Sequence, residues 1–279
     1  MKTVSNDQMV AYITENDKYN NIYAIYDLKE AKYTPLKVIS CKVDEECPQN
    51  YLIQSQTPDG QLHYRINYTE AKYINAIVAE LCQSSHESIT IVSNRKDFFC
   101  DKAFLGEFVK NNGIRESKLL KWENKDEIGL PENMSFRLLS SGDEELVERF
   151  TNEDKDNLVE YFYDCCVRHP EFEYGELFGL INANQLVGYI ACGCLFDNIY
   201  DVKHIYVAEQ HRGNSYGKLL ANQYGIYQSN EKNIPFYSNP QNKQSEMTAT
   251  NGGFVYYSSE YVLNVSKRGR INKRKKIKQ

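Results

Sequence analysis

At 279 residues the chain is longer than one ordinary core organises, so two domains are the expectation. Its 41% hydrophobic and 25% charged content is that of a globular domain rather than a disordered or fibrous chain. The formal charge of −5 hides an asymmetry: SKRGRINKRKKIKQ (266–279) holds eight Lys and Arg and no acid, which leaves the rest with 25 basic and 38 acidic side chains, a net of −13. An acidic body repels polyanions such as nucleic acid and attracts a cationic amine.

MKTVSNDQMV has no apolar core behind a basic start, and no stretch nears the roughly 18 apolar residues of a membrane helix, so the expectation is a cytoplasmic protein without membrane contact. Eight scattered cysteines without a CxxC read as buried free thiols, and no metal site is expected.

In chain order, NIYAIYDL, PLKVISCKV and the pair NYLIQSQ and LHYRINY around TPDG read as strands, the last two as a hairpin. EAKYINAIVAELCQ has helical spacing at Tyr73, Ile74, Ile77, Val78 and Leu81; ESITIVSN reads as a strand, FFCDKAFLGEFVKNN as a helix ending at Gly113, and ESKLLKWEN as a closing strand. WENKDEIGLPENM (122–134) is charged and broken by Gly and Pro, and only four of fifteen glycines precede residue 131. The expected division is therefore 1–131, a smaller α/β domain; 132–265, a second domain; and 266–279, a basic tail read as disordered, or as the one place suited to RNA, a membrane surface or an acidic partner.

In the second domain FRLLS is a strand, and SGDEELVERF and NLVEYFYDCCVRH are helices, the second stopped by Pro170. ELFGLI, LVGYIACGCLF and YDVKHIYV are strands, followed by RGNSYG, the helix YGKLLANQYGIYQ, the strand IPFYS, a helix ending at Gly252-Gly253, and the strand FVYYSSEYVL. A glycine-bearing corner between a strand and a helix aims main-chain N–H groups and the positive helix end at one point, which is an anion site. Gly213 and Gly217 allow a phosphate to approach the main chain, and Arg212 adds charge at the rim.

The element order and RGNSYG resemble the GCN5-related N-acetyltransferase (GNAT) family, whose R/Q-x-x-G-x-G/A holds the pyrophosphate of acetyl-CoA. Arg212, Gly213, Asn214, Ser215, Tyr216 and Gly217 fill the six places, with Ser215 where the family has glycine. IPFYSNPQNKQSEMTATNGGF resembles the family's later strand and helix, and FRLLSSGDEELV its opening strand and helix. The resemblance covers about 134–265 and implies an α/β acyl-CoA N-acyltransferase fold with a mixed sheet. The preceding domain is read as a degenerate copy or a separate α/β unit.

By resemblance, Ile205, Tyr206 and Val207 would pair with the pantetheine arm, Gly213 to Lys218 would hold the pyrophosphate, and Asn242 and Ser245 would contact the cofactor from the other side. An acceptor amine would attack the thioester directly in a ternary complex, with a main-chain N–H near Val207 stabilising the oxyanion. Candidates for proton transfer are His204 and Asp201, and Glu171, Glu173 and Glu176 lie on the expected substrate side. The family's helix tyrosine that protonates the leaving thiolate falls at Ala249, with Tyr256 and Tyr257 just beyond as substitutes.

The implied function is an acetyl-CoA-dependent N-acetyltransferase of a small-molecule or peptide amine. Two other readings stay open: a degenerate acyl-CoA-binding or sensing protein, and an aminoacyl-tRNA-dependent transferase. The acceptor and the oligomeric state, a homodimer included, are also open.

Overall fold

The computed structural model describes residues 1–29, 37–44, 46–47, 49–84, 86–123, 126–150, 153–168, 175–238, 240 and 242–268. The chain divides into two compact units, Met1–Ser117 with Ser259–Gln279, and Lys118–Ser258.

The first unit opens with β1 (Lys2–Val4) and α1 (Asn6–Asp17). Ser5 starts that helix by accepting from Gln8 N, while the Gln8 side chain accepts from Ser5 N, so two orphan donors are satisfied reciprocally. After a 3₁₀ turn at Tyr19–Asn21 come α2 (Ile22–Lys29), β2 (Lys37–Val43), β3 (Tyr51–Gln56), β4 (Leu62–Asn67), α3 (Ile74–Cys82), β5 (Ser88–Ser93), α4 (Lys102–Glu107) and β6 (Phe108–Lys110). Strands β1 to β4 pair antiparallel in order, β4 and β5 pair parallel, and β5 pairs antiparallel with the distal half of β13 (Phe254–Lys267). Phe98, Phe99, Phe104 and Phe108 pack with Leu81, Ile91 and Leu263 in its core.

Two expectations fail here. NIYAIYDL is helical, because Ile22, Ala24, Ile25 and Leu28 bury one face at helical spacing and packing overrides the β preference of its Ile and Tyr residues. FFCDKAFLGEFVKNN is broken, because Asp101 in extended conformation caps a new helix at Ala103 N, leaving a 3₁₀ turn before α4 and β6 after it.

The second unit contains the end of β7 (Arg115–Trp122), then β8 (Met134–Leu138), α5 (Glu144–Glu148), α6 (Lys155–Phe162), β9 (Glu176–Asn182), β10 (Gln185–Phe196), β11 (Ile199–Val207), α7 (Tyr216–Asn230), β12 (Ile234–Ser238), α8 (Lys243–Gly252) and the start of β13. Strands β8 to β11 pair antiparallel in order, β11 and β12 pair parallel, and β12 pairs antiparallel with β7. Strand, two helices, three strands, helix, parallel strand, helix: the two units repeat one topology, and each sheet is closed by a strand that follows the other unit in the chain.

That arrangement explains why the compositional boundary at 131/132 is not where the compact units divide. The segment after Trp122 is a loop, but Leu119 to Lys121 already pair with Ser238 to Phe236. The loop itself is tied to α7, with Ile128 N donating to Asn222 Oδ1 at 2.8 Å and Gln223 Nε2 to Ile128 O at 2.8 Å. At the other end, Ser266 and Lys267, expected in the tail, belong to β13; the tail from 269 onward lies outside the described residues.

Two apolar layers cover the second sheet. Leu220, Tyr224, Tyr237, Phe254 and Trp122 pack on the α7 side, and Phe150, Leu158, Leu177 and Tyr189 on the α5/α6 side. Among the described residues no helix is long and apolar enough to cross a membrane.

Candidate active site

The site begins where two parallel strands part. Strand β11 pairs with β12 from Ile199–Ile234 to Val202–Tyr237, and among the described residues the ladder stops there. On its other edge β11 stays paired with β10 from Ala191–His204 to Gly188–Val207, after a β-bulge at Lys203. The main chain of 203–207 thus faces a widening gap on the β12 side. In the first unit the corresponding strand β4 pairs with β5 from Leu62–Ile89 to Ile66–Ser93, and no such gap opens.

The gap leads into a cavity of about 920 Å³. It is lined by Ile205, Tyr206 and Val207 of β11, by Arg212, Gly213, Ser215, Tyr216, Gly217 and Lys218 at the start of α7, and by Asn242, Ser245, Met247 and Thr248 of the next helix. The fold gathers every residue expected to bind the cofactor around this space except Asn214, whose amide donates back to His211 O at 3.1 Å.

The corner is built by two left-handed residues, Gly213 with φ 85° and Ser215 with φ 61°. At Gly213 the positive φ, not crowding, is the reason for glycine, since an added Cβ would meet only open space. Ser215 holds the same left-handed region at a cost of about 1 to 2 kcal/mol, which is the physical reason glycine suits that place. Arg212 N–H goes to Glu209 O and Leu219 N–H to Ser215 O. Between them no main-chain N–H has a main-chain partner among the described residues. Orphan donors at the positive end of a fifteen-residue helix, beside Arg212 and Lys218, fit a multiply charged anion.

Gly217 has a further reason to be glycine. A Cβ there would lie 3.1 Å from Thr248 Cγ2, so the missing side chain also lets α8 close on α7. Asn242 caps α8 by accepting from Ser245 N at 2.9 Å, and Ser245 Oγ lies 2.7 Å from Tyr237 OH.

Arg212 is already engaged. Its Nη2 donates to Glu153 Oε1 at 2.9 Å and to Tyr206 OH at 3.2 Å, and its Nε to Val207 O at 3.2 Å. These contacts hold the Glu153 carboxyl below its usual range, and burial with the Glu153 hydrogen bond pushes the Tyr206 phenol up to about 12.

Of the proton-transfer candidates, His204 has the clearest setting. It follows the bulge, and its Nε2 lies 2.9 Å from Oδ2 of Asp154, a carboxylate only 7% exposed. The rings of Tyr161, Tyr189 and Tyr206 surround the imidazole at 5.7, 5.5 and 6.4 Å between centroids. Asp201 is buried with Lys203 Nζ 3.3 Å away, and Tyr256 is 59% exposed; neither lines the cavity, and His204 stands next to the lining residue Ile205 on β11 rather than in the lining itself. Glu176 is not turned to the cavity either: its carboxylate takes the Gln228 amide and the Cys192 thiol, and burial raises its carboxyl. Glu171 and Glu173 lie outside the described residues. Ala249 is fully buried, so α8 offers no hydroxyl there.

Burial holds the thiols of Cys41 and Cys166 at about 11 and of Cys165 at about 12, so these stay protonated and poorly nucleophilic at neutral pH. Sequence reasoning missed Glu153 and Asp154. They stand in a polar stretch that looks like a solvated interhelical loop, and only the fold brings Asp154 to a histidine fifty residues away.

Residues 139–224 match the family model described as Acetyltransferase (GNAT) family. They form a GNAT acetyltransferase-family domain. Solved structures with the same fold include a GNAT-family acetyltransferase from Colwellia psychrerythraea, 12% identical, covering 96% of this chain and 99% of its own, at TM-score 0.53. A GCN5-related N-acetyltransferase from Sphaerobacter thermophilus is 11% identical, covering 95% and 94%, at 0.53. A tandem GNAT protein from the clavulanic acid biosynthesis pathway is 14% identical, covering 95% and 97%, at 0.52. These likenesses are of fold, and they extend beyond the GNAT domain to the topological repeat before it. No curated protein matches the chain.

Proposed function

We propose that the second unit is an acetyl-CoA-dependent N-acetyltransferase acting on a cationic amine. The observation that carries this reading is the cavity that joins an open strand edge to a corner of orphan N–H donors. The N–H groups from Gly213 to Lys218 and the Arg212 guanidinium would hold the pyrophosphate, with Glu153 displaced from the arginine. The exposed edge of Ile205 to Val207 offers main-chain donors and acceptors to an extended amide-bearing arm. When bound, acetyl-CoA supplies the thioester whose acyl carbon an amine attacks.

An ammonium must lose a proton before it can attack. Glu153, Asp154 and the tyrosine rings beside His204 favour a cation on that side of β11. The His204 imidazole accepts the proton there, so no protein nucleophile takes part. A CoA thiol, with a pKa of about 8 to 9 like a cysteine, leaves without strong acid help, which accommodates the alanine at 249. A second reading, an acyl-CoA-binding protein without turnover, is favoured by Ser215 in its left-handed position and by that alanine.

Thiol release from acetyl-CoA, followed with monoamines, diamines, polyamines, amino acids and peptides, separates the two. Amine-dependent release above the hydrolytic background is expected; a protein that binds acetyl-CoA yet releases thiol with none of them belongs to the second reading.

A further inference from the structure

Asp154 is fixed more firmly than a solvated loop residue. Its Oδ2 accepts from Tyr189 OH at 2.5 Å and faces His204 Nε2 at 2.9 Å; its Oδ1 accepts from Asn157 Nδ2 at 2.6 Å; its main-chain carbonyl accepts from Leu158 N at 3.1 Å. Tyr189 is fully buried, and burial together with Asp154 pushes its phenol well up, so it remains a donor. A carboxylate that takes a phenol on the oxygen facing the imidazole acts as an acceptor toward Nε2. In the neutral ring Nε2 then carries the proton and Nδ1 the lone pair. The flanking rings of Tyr161 and Tyr206, inclined by 28° and 9° to the imidazole, hold its plane.

The repeated topology supplies an internal comparison. In the first unit Tyr51 on β3 donates to Asn21 Oδ1 at 2.5 Å, and Asn21 lies between α1 and α2 as Asp154 lies between α5 and α6. Tyr51 pairs with Asn67, as Tyr189 pairs with Tyr206. Two residues earlier on β4 stands Arg65, where β11 has His204. Arg65 is ion-paired with Asp27 at 3.1 Å and with Glu260. The tyrosine and its acceptor recur, but an amide replaces the carboxylate and an arginine, which gives up no proton, replaces the imidazole. The carboxylate and imidazole occur together in the unit whose strands part.

We propose that Asp154 is the positioning residue of the acyl-transfer site, its carboxylate holding His204 Nε2–H so that Nδ1 is the atom that takes the proton of the acceptor amine. The amine nitrogen forms the new bond to the acyl carbon, the carbon–sulfur bond breaks, and the proton passes from nitrogen to Nδ1 while the thiolate leaves. The catalytic part rests on the acetyltransferase reading above; the tautomer does not.

The test is long-range ¹H–¹⁵N correlation of histidine rings in the ligand-free full-length protein, with the His204 signals assigned by their loss in His204→Gln. At a pH where the ring is neutral, the Nε2–H tautomer is expected in the wild type. In Asp154→Asn the amide donates as well as accepts, so the Nδ1–H form gains population, and kcat falls by about 10- to 100-fold with KM within about twofold. A wild-type His204 in the Nδ1–H form overturns the proposal whatever the activity. So does an Asp154→Asn protein with wild-type tautomer and wild-type kcat. Absence of amine-dependent thiol release in the wild type sinks the acetyltransferase reading and the catalytic role with it, while the tautomer still decides whether Asp154 orients the ring.

Discussion

His204→Gln lowers kcat for acetyl transfer by about 10²- to 10⁴-fold while the protein stays folded. Glutamine can reach Asp154 with an amide N–H much as the imidazole does, so the hydrogen bond at 2.9 Å has a substitute. What glutamine lacks is a basic nitrogen. The ring is 28% exposed but lies against the Tyr161, Tyr189 and Tyr206 rings, so some ring contact is lost and the folding control is needed. Steady-state thiol release at saturating amine, with circular dichroism as the folding control, checks this result. A variant within about threefold of wild type would remove His204 from proton transfer and return attention to water or another group.

Trp122→Ala destabilises the second unit by about 3 to 5 kcal/mol. The indole is 7% exposed, its Nε1 donates to Gly252 O at 3.3 Å, and it lies against α7 so closely that a Cβ on Gly225 would be 2.2 Å from Nε1. Removing it empties a space between β7, α7 and the end of α8 and leaves a buried carbonyl short of one donor. Because Trp122 is the chain's single tryptophan, urea unfolding is followed by circular dichroism rather than fluorescence. A loss below about 1 kcal/mol would mean that the strand end is not integral to this unit.

Trp122 also shows where sequence reading stops. The strand ESKLLKWEN is legible from its composition, and the loop after it from Gly and Pro, so a boundary at 131/132 follows naturally. Strand pairing across more than a hundred residues leaves no local mark, and Lys121 opposite Phe236 is visible only in the fold. The glycine corner was legible because left-handed backbone and close approach restrict residue choice over a few adjacent positions. Gly213 shows that restriction plainly. Gly217 was legible for a partial reason, since the contact with Thr248 thirty-one residues on was hidden. His204 could be singled out as a histidine on the right strand, but its partner could not, because an aspartate in TNEDKDN carries no signal of burial. NIYAIYDL failed for a different reason: β-branched and aromatic residues also satisfy a helical stripe, and the two periods coincide over eight residues.

The central claim is that the corner between β11 and α7 binds the pyrophosphate of acetyl-CoA. Thermal unfolding of the wild type and of Gly217→Val, each with and without acetyl-CoA at about 100 times its Kd for the wild type, tests it most directly. Bound ligand at that excess adds about 2.7 kcal/mol, which raises the transition by roughly 5 to 10 °C in a unit of this size. The account predicts that rise in the wild type and its loss in Gly217→Val, whose own transition is also lower because the new side chain presses on Thr248. An unmoved wild-type transition in well-folded protein, or an equal rise in both proteins, would contradict it.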